Sequence, residues 1–227
     1  MKKKALITGI TGQDGSYLSE LLLKKNYSVH GIVRRGVTAN KTHRFRRLRN
    51  FINKIDIHTG SLESYASIIK LVARIKPHEI YHLGAKRYMD YAVKNEFSTI
   101  NTNINETHYL LSAIKEFSPK TKFYFAGSSE MFGRVRGMPQ NELTPFNPRT
   151  TYGISKVAGF ELTRHYREEH NLFCCSGLLF NHESPRRGTE FVTKKITRSV
   201  ARIKFGLQKK LKLGNLKAKR DWGHAKD

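Results

Sequence analysis

The chain has 227 residues and sets 42 Lys and Arg against 18 Asp and Glu, a formal charge of +24. This length suits one large domain, or one and part of a second, burying on the order of 70% of the unfolded chain's surface. No apolar run is long enough to span a bilayer, and the run after the opening lysines is too short for a secretory signal, so a cytoplasmic protein without a membrane partner is expected.

Residues 4–8, Lys-Ala-Leu-Ile-Thr, read as a buried strand. Gly9-Ile-Thr-Gly-Gln-Asp-Gly15 follows, and a helix over 16–25 carries Tyr17, Leu18, Leu21 and Leu22 at helical spacing. Glycines between a strand and a helix form a phosphate cradle. The first permits a tight turn, the second lets backbone approach a pyrophosphate, and the third lets helix and strand pack closely. The helix start offers N–H groups to the anion. The loop residues Gly9, Thr11, Gly12, Gln13, Asp14 and Gly15 are therefore candidate cofactor contacts.

A second strand over 27–33 ends at Arg34-Arg35. An NAD-binding chain usually has an acid here for the ribose hydroxyls. An arginine instead suits a ribose 2′-phosphate, which points to NADP. Residues 40–53 are a basic, helical or irregular excursion. A third strand is expected at 56–58, a helix at 63–76 stopped by Pro77, a fourth strand at 79–83, a long helix at 98–117, and a fifth strand at 122–126. Beyond residue 156 come a helix at 157–170, a strand at 173–179, a helix at 191–205 and a short strand at 210–213. Alternating strands and helices predict an α/β, Rossmann-type doubly wound parallel sheet.

Two pieces carry chemistry. Ser128-Ser129-Glu130 stands at the carboxyl end of the fifth strand, the edge where open parallel sheets bind ligands. Tyr152 and Lys156 are four apart, on one face of a helix. A tyrosine titrates near pH ~10, so work as a base near pH 7 needs roughly 4 kcal/mol of help. Lys156 and a cationic nicotinamide ring can supply that, because a nearby cation favours the phenolate. Ser128 can hold the substrate hydroxyl. Glu130 can remove a carbon-bound proton beside a new ketone. The adjacent Cys174 and Cys175 read as buried reduced thiols, and no metal site is expected. The basic excess reads as a solvated surface or a site for a polyanionic nucleotide, not for nucleic acid, because no nucleic-acid-binding motif accompanies it.

The motifs together resemble the GDP-mannose 4,6-dehydratase family, within the extended short-chain dehydrogenase/reductases. The resemblance is carried by Ala5 to Leu18, Glu79-Ile-Tyr81, Ser128-Ser-Glu130, Tyr152-x-x-x-Lys156, the segment Leu179 to Gly188, Phe191-Val-Thr193 and the run from Arg220 to Asp227. It implies Glu130 as acid/base, Tyr152 as base for the 4-hydroxyl, and Lys156 on the nicotinamide ribose. Further implied cofactor contacts are Ser61, Leu62, Leu83, Gly84, Ala85, His182 and Arg187, with Asn181 and Arg220 near the sugar-nucleotide diphosphate. The implied reaction is internal redox on NADP: hydride leaves sugar carbon 4, water leaves across carbons 5 and 6, and the hydride returns to carbon 6. GDP-mannose is the implied substrate, on the way to GDP-fucose, and a homo-oligomer is expected.

The chain also differs from the family pattern. Ser61 replaces an aspartate, Lys86-Arg87 replaces Gln-Ser, Ser98 lies near a family tyrosine, and the family continues past Asp227 as a substrate domain. The expected domains are 1–178 for the cofactor and 179–227 as the start of a smaller, incomplete substrate region. The expected behaviour is cofactor binding with turnover that is poor or absent. The alternatives are another nucleotide-sugar epimerase or dehydratase, and a catalytically silent nucleotide-binding module.

Overall fold

The computed structural model describes residues 2–34, 45–86, 96–135 and 137–227. Two compact units divide the chain, Met1–Leu179 and Phe180–Asp227. The first contains β1 (Lys4–Thr8), α1 (Gln13–Lys24), β2 (Ser28–Val33), β3 (Ile55–Thr59), α2 (Tyr65–Ile75), β4 (Glu79–His82), α3 (Glu96–Phe117), β5 (Lys122–Ala126), α4 (Thr151–His170) and β6 (Cys174–Gly177). All six strands are parallel, in the order β3-β2-β1-β4-β5-β6. The order reverses between β1 and β4, and open parallel sheets bind ligands at the carboxyl ends beside such a reversal.

Strand alternation divides the core between the two faces of the sheet. Leu6 and Ile32 face a cluster with Ile68, Leu71 and Val72 of α2, Leu110, Leu111 and Ile114 of α3, and Tyr166 of α4. Ala5, Ile7, Val29 and Val33 face the other cluster, with Leu22 of α1 and with Leu48 and Phe51 of the basic excursion. The excursion is thus partly core: its described part is a turn over residues 45–51 and a 3-10 turn at Ile52–Lys54. Arg35, Lys41, Arg44 and Arg87 lie outside the described residues.

Local chemistry sets the helix ends. Ser64 Oγ accepts from the Ser67 N–H and opens α2, which stops at left-handed Lys76 before Pro77. Thr150 Oγ1 accepts from the Gly153 N–H at 3.0 Å and opens α4, which runs unbroken to left-handed Asn171. On β2 and β3, His30 and His58 stack with ring centroids 5.2 Å apart, and Arg74 Nη2 lies 2.9 Å from His58 Nδ1. Period-two alternation also corrects the reading of the cysteines as a buried pair: Cys174 points inward and Cys175 is exposed. Burial pushes the Cys174 thiol up to about 12.

The second unit holds β7 (Asn181–Glu183), α5 (Val192–Lys204) and β8 (Trp222–His224), with β7 and β8 paired in parallel. The strand expected at 210–213 does not form. Its lysines and Leu213 are exposed, and β7 pairs with residues 222–224 instead. A parallel partner requires a crossover, which residues 184–221 provide. Among the described residues no helix is long and apolar enough to cross a membrane.

Candidate functional site

The glycine loop closes β1 onto α1 at the switch point. Gly9 has φ +71°, and a Cβ on it would sit 2.8 Å from the Gly84 backbone nitrogen. The turns after β1 and β4 therefore touch backbone to backbone, which only glycine permits. Gly12 is the N-cap of α1 and provides no side-chain cap. The first-turn N–H groups cannot bond within the helix, so the loop fits an anion such as a dinucleotide pyrophosphate. Gln13 is buried and donates to Asp14 Oδ1 at 3.1 Å. Arg47 Nη1 donates to the Thr11 carbonyl at 3.2 Å. Sequence reasoning overlooked Arg47, since its place at the loop depends on the fold of the excursion.

A buried polar chain locks this end of the sheet. Thr8 Oγ1 accepts from the Gly84 N–H at 2.9 Å and meets His82 Nδ1 at 2.8 Å. His82 Nε2 lies 3.1 Å from Thr107 Oγ1, which donates to the Asn103 carbonyl. The hydroxyl protons assign the His82 proton to Nε2. Burial lowers His82 to about 3, with Lys156 adding to the effect, so the ring is neutral.

The four catalytic candidates share one edge. β5 ends at Ala126, and Ser128 opens a 3-10 turn over Ser129–Met131, with its Oγ accepting from the Glu130 N–H at 3.3 Å. The turn is tied to the far side of β5, where the Gly127 N–H donates to the Gly177 carbonyl and the Ser129 N–H to the Leu179 carbonyl, both at 2.8 Å. Gly153, in the first turn of α4, packs so closely that a Cβ would lie 2.6 Å from the Glu130 carbonyl oxygen. That contact brings the helix carrying Tyr152 and Lys156 onto the turn carrying Ser128 and Glu130.

Lys156 is 3% exposed. Its Nζ donates to the Ala126 carbonyl at 2.8 Å and lies 4.8 Å from the Phe125 ring centroid and 5.7 Å from that of Tyr152. Burial lowers Lys156 to about 8 against an upward pull from Glu106, so the cation prevails at pH 7. Ser155 Oγ donates to the Tyr152 carbonyl and accepts from Asn103 Nδ2 at 2.9 Å, and Asn103 Oδ1 takes the Lys86 N–H at 2.8 Å. Asn103 thus ties α3 to both α4 and the turn after β4. Its signal in the sequence was only a polar residue on an inward helical position.

The adenosine side departs from expectation. Arg34 follows β2, as the NADP reading requires, but its Nη2 pairs with two carboxylates, Glu63 Oε1 at 4.0 Å and Glu106 Oε1 at 3.9 Å. Lys86 Nζ pairs with Glu63 at 2.7 Å and donates to Ser98 Oγ at 2.8 Å. Ser61 Oγ accepts from the Glu63 N–H at 3.2 Å, Leu62 is buried, Leu83 is half-buried, and Ala85 is exposed. Neither Glu63 nor Glu106 was singled out from the sequence.

In the second unit, His182 Nδ1 lies 2.7 Å from the Phe180 carbonyl. Arg187 Nε pairs with Glu183 at 3.3 Å and stacks its guanidinium 3.6 Å from the Phe191 ring centroid. Glu183 also accepts from Thr193 Oγ1. Asn181 pairs with Trp222 across β7 and β8, and the exposed Arg220 stands two residues before that partner.

Comparison with known sequences decides the family. A family model described as GDP-mannose 4,6 dehydratase matches residues 6–227. The chain belongs to the GDP-mannose 4,6-dehydratase family. Among its relatives, GDP-mannose 4,6 dehydratase 2 of Caenorhabditis elegans is 47% identical over 234 residues, which cover 100% of this chain and 61% of that protein. The human GDP-mannose 4,6 dehydratase is 47% identical over 229 residues, covering 98% of this chain and 62% of that protein. The chain thus spans about three fifths of the length of these curated relatives. Among solved structures, the Bordetella bronchiseptica enzyme WbmH in complex with NAD+ is 27% identical at a TM-score of 0.76, covering 100% of this chain and 69% of that one. DesIV of Streptomyces venezuelae, a dTDP-glucose 4,6-dehydratase, shares the fold at 19% identity and a TM-score of 0.81, over 98% of this chain and 68% of that one.

Proposed function

We propose that this chain carries the cofactor half and the catalytic quartet of an NADP-dependent GDP-mannose 4,6-dehydratase. The observation that carries the reading is the Gly153 contact, which sets Tyr152 and Lys156 against the Ser128-to-Glu130 turn at the carboxyl end of β5. The glycine loop and the uncapped start of α1 suit the pyrophosphate, and Arg34 suits a ribose 2′-phosphate. Residues 1–178 hold this machinery, and residues 179–227 begin the sugar-nucleotide region with Asn181 and Arg220.

In this reading Ser128 holds the hydroxyl on sugar carbon 4 and Tyr152 takes its proton. Lys156 supports the phenolate as a buried cation, the role its position beside the Tyr152 ring suggests. A nicotinamide dinucleotide held by the glycine loop and Lys156 would supply the redox chemistry, a hydride acceptor for carbon 4 and a donor for carbon 6. Glu130 removes the proton from carbon 5, acidified by the new ketone, and passes it to the carbon-6 hydroxyl, which leaves as water. It then takes a fresh proton from solvent and delivers it to carbon 5, while the proton Tyr152 took from the 4-hydroxyl is released.

Purified protein is incubated with GDP-mannose and NADP+ in heavy water, and the nucleotide sugar is analysed by mass spectrometry and proton NMR. The expected product has lost one water, carries a ketone at carbon 4 and holds deuterium at carbon 5. A GDP-hexose of unchanged mass with an inverted carbon would overturn the reading in favour of an epimerase. No product at all, from protein that is folded and binds NADP+, would leave these residues as a nucleotide-binding unit without turnover of its own.

A further inference from the structure

Glu106 is the most unusual ionisable group of the first unit. It sits on α3, is 1% exposed, and its Oε1 accepts no hydrogen bond from the described residues. A buried carboxylate in that state is costly unless something compensates it. Its ion pair is with Arg34 Nη2, at a long 3.9 Å. The Arg34 side chain is half-exposed, so this cation can turn toward solvent and toward a ligand in the crevice. Glu63 reaches the same guanidinium nitrogen from the turn before α2. One guanidinium thus faces two protein carboxylates at the position where the proposed cofactor would bring a phosphate.

We propose that Glu106 is a specificity-determining residue of the cofactor site, competing with the ribose 2′-phosphate for Arg34 and so weakening the preference for NADP over NAD. The proposal rests on the NADP reading given above. A dianionic phosphate takes Arg34 by a two-pronged contact that a single carboxylate oxygen at 3.9 Å does not make. Glu106 then loses its partner and gains a nearby negative charge. Both changes favour the neutral acid, so binding draws a proton from solvent.

The surroundings of Glu106 support this direction. Among the described residues, the charged groups facing it are Arg34 after β2, Glu63 before α2, Lys86 after β4 and Lys156 of α4. Burial and Glu63 raise Glu106, and the three cations lower it, to a balance at about 7. Removing Arg34 from that balance moves it upward. NAD lacks the phosphate, leaves Arg34 on its carboxylates, and draws no such proton.

Titration calorimetry of the wild-type chain with NADP+ and with NAD+, in buffers of differing ionisation enthalpy at pH 7.5, counts the protons. The expected result is net uptake with NADP+ and none with NAD+. Glu106→Gln, of nearly equal shape, should abolish the uptake. It should tighten NADP+ by about fivefold, the upper range for a half-exposed ion pair, and leave NAD+ within about twofold. The phosphate's own titration is common to both proteins and cancels in the comparison. A proton count with NADP+ that is the same in the wild type and in Glu106→Gln would overturn the proposal. An unchanged NADP-to-NAD ratio in Glu106→Gln would also overturn it. If folded wild-type protein binds neither dinucleotide, the underlying cofactor reading falls with it; binding with unaltered preference removes this inference alone.

Discussion

Replacing Lys156 by methionine should stabilise the protein at neutral pH while removing its chemistry. Burial lowers the Lys156 ammonium from 10.5 to about 8. At about 1.4 kcal/mol per pH unit, holding it charged inside the fold costs about 3 kcal/mol at pH 7. The unfolded chain keeps its proton up to 10.5 and the folded chain only up to about 8. Stability of the wild type therefore rises with pH between those two values. Methionine fills similar space without the charge but loses the contacts with the Ala126 carbonyl and the Phe125 ring, about 1 kcal/mol together. The net gain is about 2 kcal/mol at pH 7 and vanishes by pH 10. With a urea dependence of about 3 kcal/mol per molar, the midpoint should rise by about 0.7 M. Urea unfolding followed by far-UV circular dichroism at pH 7, 8.5 and 10 reads this directly. A variant less stable than wild type at pH 7, or a gain that does not shrink with pH, would refute the reasoning.

Glu130→Gln should separate oxidation from elimination. The variant still reduces NADP+ on mixing with GDP-mannose, but carbon 5 no longer takes up solvent deuterium, as proton NMR of the recovered sugar shows; undiminished exchange would remove Glu130 as the base. The His30 and His58 pair should make the fold acid-sensitive. Burial lowers both rings, outweighing the upward pull of Asp56, while Arg74 presses both further down and Lys4 adds to this at His30. Below pH 6.5 the unfolded chain takes protons that the folded one resists, so stability drops as the pH is lowered. His30→Gln should flatten the slope of urea midpoint between pH 7 and 5, and an equally steep slope would assign the acid sensitivity elsewhere.

The framework of the first unit was legible because its signals are local. Residues 4–8 and 122–126 are strands as read, since both are short apolar runs bounded by turn residues. The helix at Glu96–Phe117 begins within two residues of its expected start. The signal failed where partners are distant. Lys210-Leu-Lys-Leu213 alternates like a strand, but β7 found its partner at Trp222–His224, and alternation carries no information about pairing. Cys175 was misplaced because an apolar context was weighed above period two. At the site, Ser128, Glu130, Tyr152 and Lys156 stood out as residue types at spacings that chemistry requires. The occupation of Arg34 by Glu63 and Glu106 was not legible, because three separate loops and helices bring those side chains together.

The chain from Thr8 through His82 to Thr107 fixes one imidazole in a single tautomer, neutral down to about pH 3. Its two ring nitrogens therefore differ permanently in character, one bearing the proton and one receiving one. In a nitrogen spectrum the ring would give two well-separated signals that stand still through the whole working pH range. Those signals report on assembly rather than on acidity. They stay apart only while β1, β4 and α3 remain locked together, and they merge toward an averaged imidazole when α3 lifts from the sheet. The protein thus contains its own marker for the integrity of the layer beneath its crevice, at a position that no ligand in the crevice needs to touch.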